Sequence, residues 1–166
     1  MKTAVVILNW NGRHLLQNFL PGVLRHSQGA EVIVADNASD DDSVQVLRAE
    51  FPSVRIVQYP SNNGYAGGYN EALAQVDADI FVLLNSDIEV TENWIEPVVQ
   101  LFREDQLVAA AQPKIRAFKH RTHFEYAGAA GGYVDRLGYP FCRGRVFEAF
   151  EEDIGQYNDV QEVFWA

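Results

Sequence analysis

An α/β fold, a mostly parallel sheet flanked by helices, is predicted from three observations. The apolar runs at residues 4–8, 32–35 and 80–84 carry no polar alternation, as expected of strands covered on both faces. Segments with apolar residues at spacings of three and four lie between such runs, the signature of amphipathic helices. Each run also breaks abruptly into polar residues: Asn9-Trp10-Asn11, Asp36-Asn37 and Asn85-Ser86-Asp87. In parallel sheets ligands collect beyond the carboxyl ends of the strands.

The first strand is residues 4–8, and a helix follows over residues 13–25 with Leu15, Leu16, Phe19, Leu20, Val23 and Leu24 on one face. Pro21 marks a kink or an early end, because proline removes a backbone donor. The second strand, residues 32–35, leads into a helix starting at Ser39, where Asp42 three residues on resembles a capping box and Pro52 stops the pattern. Residues 54–59 alternate as a third strand, closed by Pro60. Residues 61–70 are rich in Asn and Gly and read as a loop, with helix resuming at Tyr69 and running to Val76. Residues 78–90 hold the fourth strand, placed centrally in the sheet by its unbroken apolar run. Thr91 is a cap for a helix over residues 92–103 carrying Trp94, Ile95, Val98, Val99 and Phe102. Residues 108–112 form a fifth apolar segment, ended by Pro113. Strands alternating with helices imply right-handed crossovers.

Beyond Ile115 the pattern changes. Residues 117–122 are basic and loop-like, and residues 124–139 are rich in Gly, Ala and aromatics without helical period, predicting irregular strands or a hairpin beside the sheet. An acidic stretch runs from Glu148 to Glu162, its cluster Glu151-Glu152-Asp153 reads as a solvated face, and the apolar ending Val163-Phe164-Trp165-Ala166 runs out inside an element. The chain reads as one domain over residues 1–166, with an α/β core at 1–115 and a second region at 116–166.

The 166 residues suffice for a substantial core, and 48% hydrophobic with 22% charged residues is ordinary globular composition. No run approaches the length of a membrane span and no cleavable leader is visible, so the expectation is a cytoplasmic protein, with peripheral attachment to the inner face of the membrane left open. The single cysteine, Cys142, forms no internal disulfide and reads as a small, partly buried side chain. A net charge of −10 argues against nucleic acid, which needs clustered Lys and Arg. For a phosphate ligand beside Asp87, a divalent cation is the simplest way for anion to meet carboxylate. His120 and His123 read as part of a solvated basic loop, and Arg143 and Arg145 either pack locally or meet an anion.

Four stretches in order, residues 5–12 (Val-Val-Ile-Leu-Asn-Trp-Asn-Gly), 34–43, 62–70 (Asn-Asn-Gly-Tyr-Ala-Gly-Gly-Tyr-Asn) and 83–87 (Leu-Leu-Asn-Ser-Asp), resemble the inverting glycosyltransferases of family 2, with a Rossmann-like GT-A fold, and especially their rhamnosyltransferase-like branch. The resemblance implies a nucleotide-diphospho-sugar donor (UDP-, TDP- or GDP-sugar) and a glycan or lipid-linked acceptor. It implies that Asp36 hydrogen-bonds the base, a carboxylate being a natural acceptor for an imide N–H. Asn9, Trp10 and Asn11 correspond to the loop lining the nucleoside, though Trp10 serves equally as rim packing. Asn63, Gly64, Gly67 and Asn70 fall in the stretch that closes over the donor. Asn85 and Ser86 fall where the family carries Asp-x-Asp, which leaves Asp87 as the main carboxylate for Mg²⁺ or Mn²⁺.

Inverting transfer also needs a general base to deprotonate the acceptor hydroxyl. In the resembled family it lies in a motif downstream of a segment that would begin just after Ala166, so the expectation is that this chain holds mainly the donor site and turns over weakly or not at all. Two other readings stay open: a sugar-1-phosphate nucleotidyltransferase, for which Asn9-Trp10-Asn11-Gly12-Arg13 is a poor match to the Gly-rich basic turn required, and a non-catalytic nucleotide-sugar-binding module.

Overall fold

The computed structural model describes residues 1–126 and 130–164. The chain divides into two compact units, Met1–Gln100 and Leu101–Ala166. The first unit carries β1 (Thr3–Asn9), α1 (Arg13–His26), β2 (Ala30–Asp36), α2 (Ser43–Glu50), β3 (Arg55–Gln58), α3 (Gly64–Leu73) and β4 (Ile80–Asn85), and α4 (Glu96–Glu104) begins in it. Its sheet has the order β3-β2-β1-β4, and all three pairings are parallel. The register aligns the strand ends: Asn9 lies opposite Asp36, and Leu8 opposite Asn85.

Period-two geometry explains the unbroken apolar runs. Val5 and Ile7 of β1, with Val34 and Leu84, pack on one face against Leu16, Leu20 and Val23 of α1 and Leu47 of α2. Ala4 and Val6, with Ile33, Ala35 and Val57, pack on the other against Tyr69 and Ala72 of α3 and Val76 beyond it. With both faces covered, the run Ala4 to Leu8 inside β1 is apolar throughout, and the polar residues Thr3 and Asn9 fall at its ends.

β4 departs from its predicted central place. Among the described residues it is the edge of the sheet, with Phe81 38% and Leu83 52% exposed. α3 lies over β1 and β2, which leaves the matching face of β4 uncovered. Residues 108–112, the fifth apolar segment, join no sheet.

Other boundaries move for identifiable reasons. α1 continues through Pro21, because Leu20 and Val23 on either side of it are buried and hold the last turns to the sheet. α2 starts at Ser43, not Ser39, since Ser39 is spent on a turn with Asp36. α3 starts at Gly64, five residues before the predicted resumption. α4 starts at Glu96 without Thr91 as its cap, and Asn93 with φ of 56° keeps the preceding residues from joining it.

The second unit holds two antiparallel pairs, β5 (Gly132–Val134) with β6 (Pro140–Cys142) and β7 (Arg145–Val146) with β8 (Ala149–Phe150). The predicted hairpin is thus present in part, as β5 turning into β6. Phe124 is its buried centre, beside Ala130 and Tyr157. The expected apolar ending includes Trp165 and Ala166, which lie outside the described residues, as do residues 127–129. No helix among the described residues is long and apolar enough to cross a membrane.

One acidic residue of the stretch expected to be solvated is not. The Asp153 side chain is 7% exposed, and Lys114 Nζ donates to its Oδ1 at 2.8 Å. That hydrogen bond holds the carboxyl below its ordinary value, against burial, which raises it; the Gly155 N–H and the charges of Lys114 and Arg116 assist. A carboxyl depressed on folding stabilises fully above its unfolded pKa, near 3.8, and loses that contribution as pH falls through the folded value. The second unit is therefore expected to loosen in acid below that range. Lys114→Met, which leaves this carboxyl with the Gly155 N–H but without its charged partner, is expected to lower the stability of the second unit at neutral pH, so that the unit loosens at a higher pH than in the wild type. Ring resonances of Tyr157 followed by NMR through an acid titration read this directly, and coincident midpoints for the two proteins would refute it.

Candidate functional site

Three strands of the first unit end in polar residues at one edge of the sheet, and these do two different jobs. Some are buried and build the edge, while others are exposed on it.

Asn9 and Asp36, opposite each other at the ends of β1 and β2, are both 0% exposed. Asp36 Oδ1 accepts from Asn9 Nδ2 at 3.1 Å and from Ser39 Oγ at 2.6 Å, and its Oδ2 accepts from the Ser39 N–H at 3.1 Å. An ionised carboxylate only accepts, so the amide of Asn9 has to turn its NH₂ toward Asp36. Its Oδ1 then faces the other way and has no hydrogen-bond partner among the described residues. It points at Gly12, the residue preceding α1, where a Cβ would overlap it and lie 3.6 Å from Ser86 Oγ. Ser39 Oγ also takes the Asn11 N–H at 2.9 Å, and Asn11 Oδ1 accepts from the Asp40 N–H at 2.9 Å. Asp41 accepts from the backbone N–H of Arg13 and of Ser43. Burial raises its carboxyl, but the nearby Ser43 hydroxyl and these two N–H groups, with the Arg13 charge, hold it below the ordinary value.

Asn37 extends the frame to the third side of the cleft. Its Nδ2 donates to Asn62 Oδ1 at 3.0 Å and to the Gly64 carbonyl at 3.1 Å, and its Oδ1 accepts from the Asn63 N–H at 2.9 Å. This side chain, 3% exposed, fixes where α3 begins. Sequence reasoning placed Asn37 at the polar end of the second strand without giving it a role; the signal for one was the pair of asparagines at 62–63 waiting for a polar partner.

The exposed set lies on this frame. Trp10 is 61% exposed and Tyr65, in the first turn of α3, is 65% exposed. Tyr65 sends its hydroxyl to Asn85 Oδ1 at 3.3 Å. Tyr69 one turn on is buried, donates to the Leu84 carbonyl at 3.0 Å, and has its phenol pushed up by burial first and by neighbouring Tyr65 second. Asn63 and Asp87 are exposed and Ser86 is half-buried. Gly67 is half-buried in α3, and Asn70, also exposed, lies about 9 Å further along that helix than Gly64 at 1.5 Å per residue. The predicted residues from β1, β2 and β4 therefore share one edge with Asn63 and Gly64, while Asn70 sits down the flank.

The glycine-rich stretch has a packing reason. A Cβ on Gly68 would sit 2.7 Å from Leu8 Cδ1 and 3.3 Å from Asn37 Nδ2, so the bare backbone allows α3 to lie close on β1.

Among the described residues no group of three or more His, Cys, Asp or Glu side chains is placed to hold a metal ion. At the end of β4 the donors are one carboxylate, Asp87, with the amide of Asn85 and the hydroxyl of Ser86 beside it. That set fits a Mg²⁺- or Mn²⁺-type ion completed by phosphate oxygens of a ligand, since such ions are commonly held by one or two carboxylates plus phosphates. It does not fit a self-sufficient cage.

A surface cavity of about 280 Å³ lies at the opposite edge, against Ser27, Gly29, Glu31 and Arg55, away from the strand ends that carry this chemistry. In the second unit, Arg143 donates to the Ala130 carbonyl and Gln161, and Arg145 to the carbonyls of Phe147 and Tyr126. Both guanidinium groups are engaged in local packing.

The sequence profile described as Glycosyl transferase family 2 matches residues 4–154. Among curated proteins, the chain is 29% identical over 111 residues to the uncharacterized glycosyltransferase YfnE of Bacillus subtilis (strain 168), covering 64% of this chain and 28% of that protein. It is 26% identical over 87 residues to the probable polypeptide N-acetylgalactosaminyltransferase 8 of Homo sapiens, covering 47% of this chain and 14% of that one. The chain thus spans under a third of the length of these relatives. Among solved structures, S. aureus TarS 1-349 in complex with UDP-GlcNAc superposes with a TM-score of 0.57 at 18% identity, over 69% of this chain and 37% of that one. The mannosyltransferase PcManGT from Pyrobaculum calidifontis, in complex with GDP-Man and Mn²⁺, gives 0.55 at 20% identity, over 69% and 33%. At these identities the structures speak for the fold, which is that of GT-A glycosyltransferases.

Proposed function

The chain belongs to glycosyl transferase family 2, and from that premise we propose that its first unit binds the nucleotide-diphospho part of a UDP-, TDP- or GDP-sugar for inverting transfer to a glycan or lipid-linked acceptor. The observation that carries this reading is the common edge: the ends of β1, β2 and β4 and the start of α3 meet there, with Trp10, Asn85, Ser86 and Asp87 presented on a buried frame of Asn9, Asp36 and Asn37.

In this reading Trp10 and Asn11 line the nucleoside, and Asn63 and Gly64 bound the cleft from the α3 side. Asp36 acts by holding the β1 and β2 ends in place, since its oxygens already accept from Asn9 and Ser39. Asp87 and the ligand's phosphates hold a Mg²⁺ or Mn²⁺ ion, whose chemistry when bound is to offset charge on the departing nucleoside diphosphate. The rhamnosyltransferase-like wording of the motifs makes a TDP-deoxyhexose a donor to test alongside UDP-GlcNAc and GDP-Man, which TarS and PcManGT bind. A lipid-linked acceptor would bring the protein to the inner membrane face.

Calorimetry with UDP, TDP and GDP, each with and without Mn²⁺, tests the reading. One diphosphate is expected to bind, Mn²⁺ is expected to tighten it, and Mn²⁺ alone is expected to bind weakly. Asp87→Ala is expected to remove most of the gain from the metal, about tenfold or more in affinity, because the ion loses its one strong protein ligand. Binding that ignores the metal and survives Asp87→Ala would sink the proposal.

A further inference from the structure

Tyr65 is the residue of this edge that its sequence did not single out, and it is held from two sides. Tyr65 and Tyr69, four residues apart, lie on the same side of α3. Tyr69 is fixed first: it is buried, and its hydroxyl donates to the carbonyl of Leu84, the residue before Asn85. The Tyr65 ring stands edge-on against it, with centroids 5.1 Å apart and planes at 72°, a favoured aromatic geometry. So braced, Tyr65 reaches across the cleft and places its hydroxyl 3.3 Å from Asn85 Oδ1.

An amide has one accepting end and one donating end. With Oδ1 facing the Tyr65 hydroxyl, Asn85 turns its NH₂ away from α3. At the position where the resembled motif carries a carboxylate, the chain then presents two N–H donors next to exposed Asp87. In a protein of net charge −10, a neutral donor there meets a diphosphate oxygen without adding to the repulsion that Asp87 exerts when no cation is present.

We propose that Tyr65 is a positioning residue, which orients the Asn85 amide so that Asn85 donates a hydrogen bond to a diphosphate oxygen and is not a ligand of the cation. The proposal rests on the donor-site reading above and adds which atom of Asn85 faces the ligand and what turns it.

The test uses the whole chain and whichever nucleoside diphosphate it binds, together with the matching nucleoside. Tyr65→Phe keeps the ring and its contact with Tyr69 but removes the hydroxyl. It is expected to weaken diphosphate binding about threefold to tenfold, the worth of one hydrogen bond, with and without Mn²⁺, while nucleoside binding and the thermal midpoint stay unchanged. Asn85→Asp is expected to weaken diphosphate binding further in the absence of Mn²⁺ and not to exceed wild type in its presence. In ¹⁵N spectra the Asn85 side-chain NH₂ resonances should shift on adding diphosphate and not on adding nucleoside. Unchanged diphosphate affinity in Tyr65→Phe, or Asn85→Asp binding the Mn²⁺ complex more tightly than wild type, would overturn the proposal and leave the donor site standing. If the wild-type chain binds none of the three diphosphates, the donor-site reading itself fails and this proposal falls with it.

Discussion

Asp36→Ala is expected to lower the unfolding free energy of the first unit by about 3 kcal/mol or more, from three buried or half-buried donors losing one shared acceptor at about 1 to 3 kcal/mol each. Those donors are Asn9 Nδ2, Ser39 Oγ and the Ser39 N–H. Relaxation recovers part of the loss at Ser39, which is only partly buried and can turn its hydroxyl to solvent; Asn9 itself is 0% exposed and keeps only the bond that its NH₂ makes to Ser39 Oγ. Asp36→Asn is the milder change. Its single oxygen can keep either the Asn9 side or the Ser39 N–H, and its NH₂ then meets another donor at the side it gives up, so about 1 to 2 kcal/mol is expected. Urea denaturation followed by tryptophan fluorescence measures both. A loss for Asp36→Ala below about 0.5 kcal/mol, the range of an ordinary surface change, would show that the carboxylate faces a ligand and not the frame.

That carboxylate marks the limit of what the sequence discloses. Apolar runs without alternation located β1, β2 and β4 along the chain, and the polar residues after them gave the edge on which the site is built, because both follow from burial on a sheet. The direction in which a strand-end side chain turns follows from its partners, and Ser39, read as a helix cap, is the partner that turns Asp36 inward. α3 was hidden for a related reason: residues 64–68 hold three glycines, which weigh against helix by intrinsic preference. The helix forms there because Gly68 lets it approach Leu8, and Tyr59 anchors it by donating to the Gly68 carbonyl at 2.9 Å. Burial, with a smaller contribution from Glu71, pushes the Tyr59 phenol up to about 12, so that bond keeps its proton across the neutral range. The edge position of β4 was equally illegible, since an apolar strand reads the same whether or not a neighbour covers it.

Gly12→Ala is expected to cost about 2 kcal/mol, although the backbone at Gly12, with φ of −107°, suits any residue. The cost comes from Asn9. A methyl at Gly12 overlaps Asn9 Oδ1, and the amide cannot swing aside or exchange its ends without breaking the bonds its NH₂ makes to Asp36 and Ser39. An overlap with a freely rotating side chain would be relieved cheaply. A smaller share comes from the helix start, where alanine is a poorer N-cap than glycine. A double-mutant cycle separates the two: in an Asn9→Ala background the penalty for Gly12→Ala should shrink to the capping share, about 1 kcal/mol or less. A penalty that persists in full would mean that α1, and not the Asn9 amide, sets the demand for glycine. Since the same amide holds Asp36 on its other side, the shift forced by Gly12→Ala should also reach the diphosphate affinity, even though Gly12 has no side chain to offer a ligand.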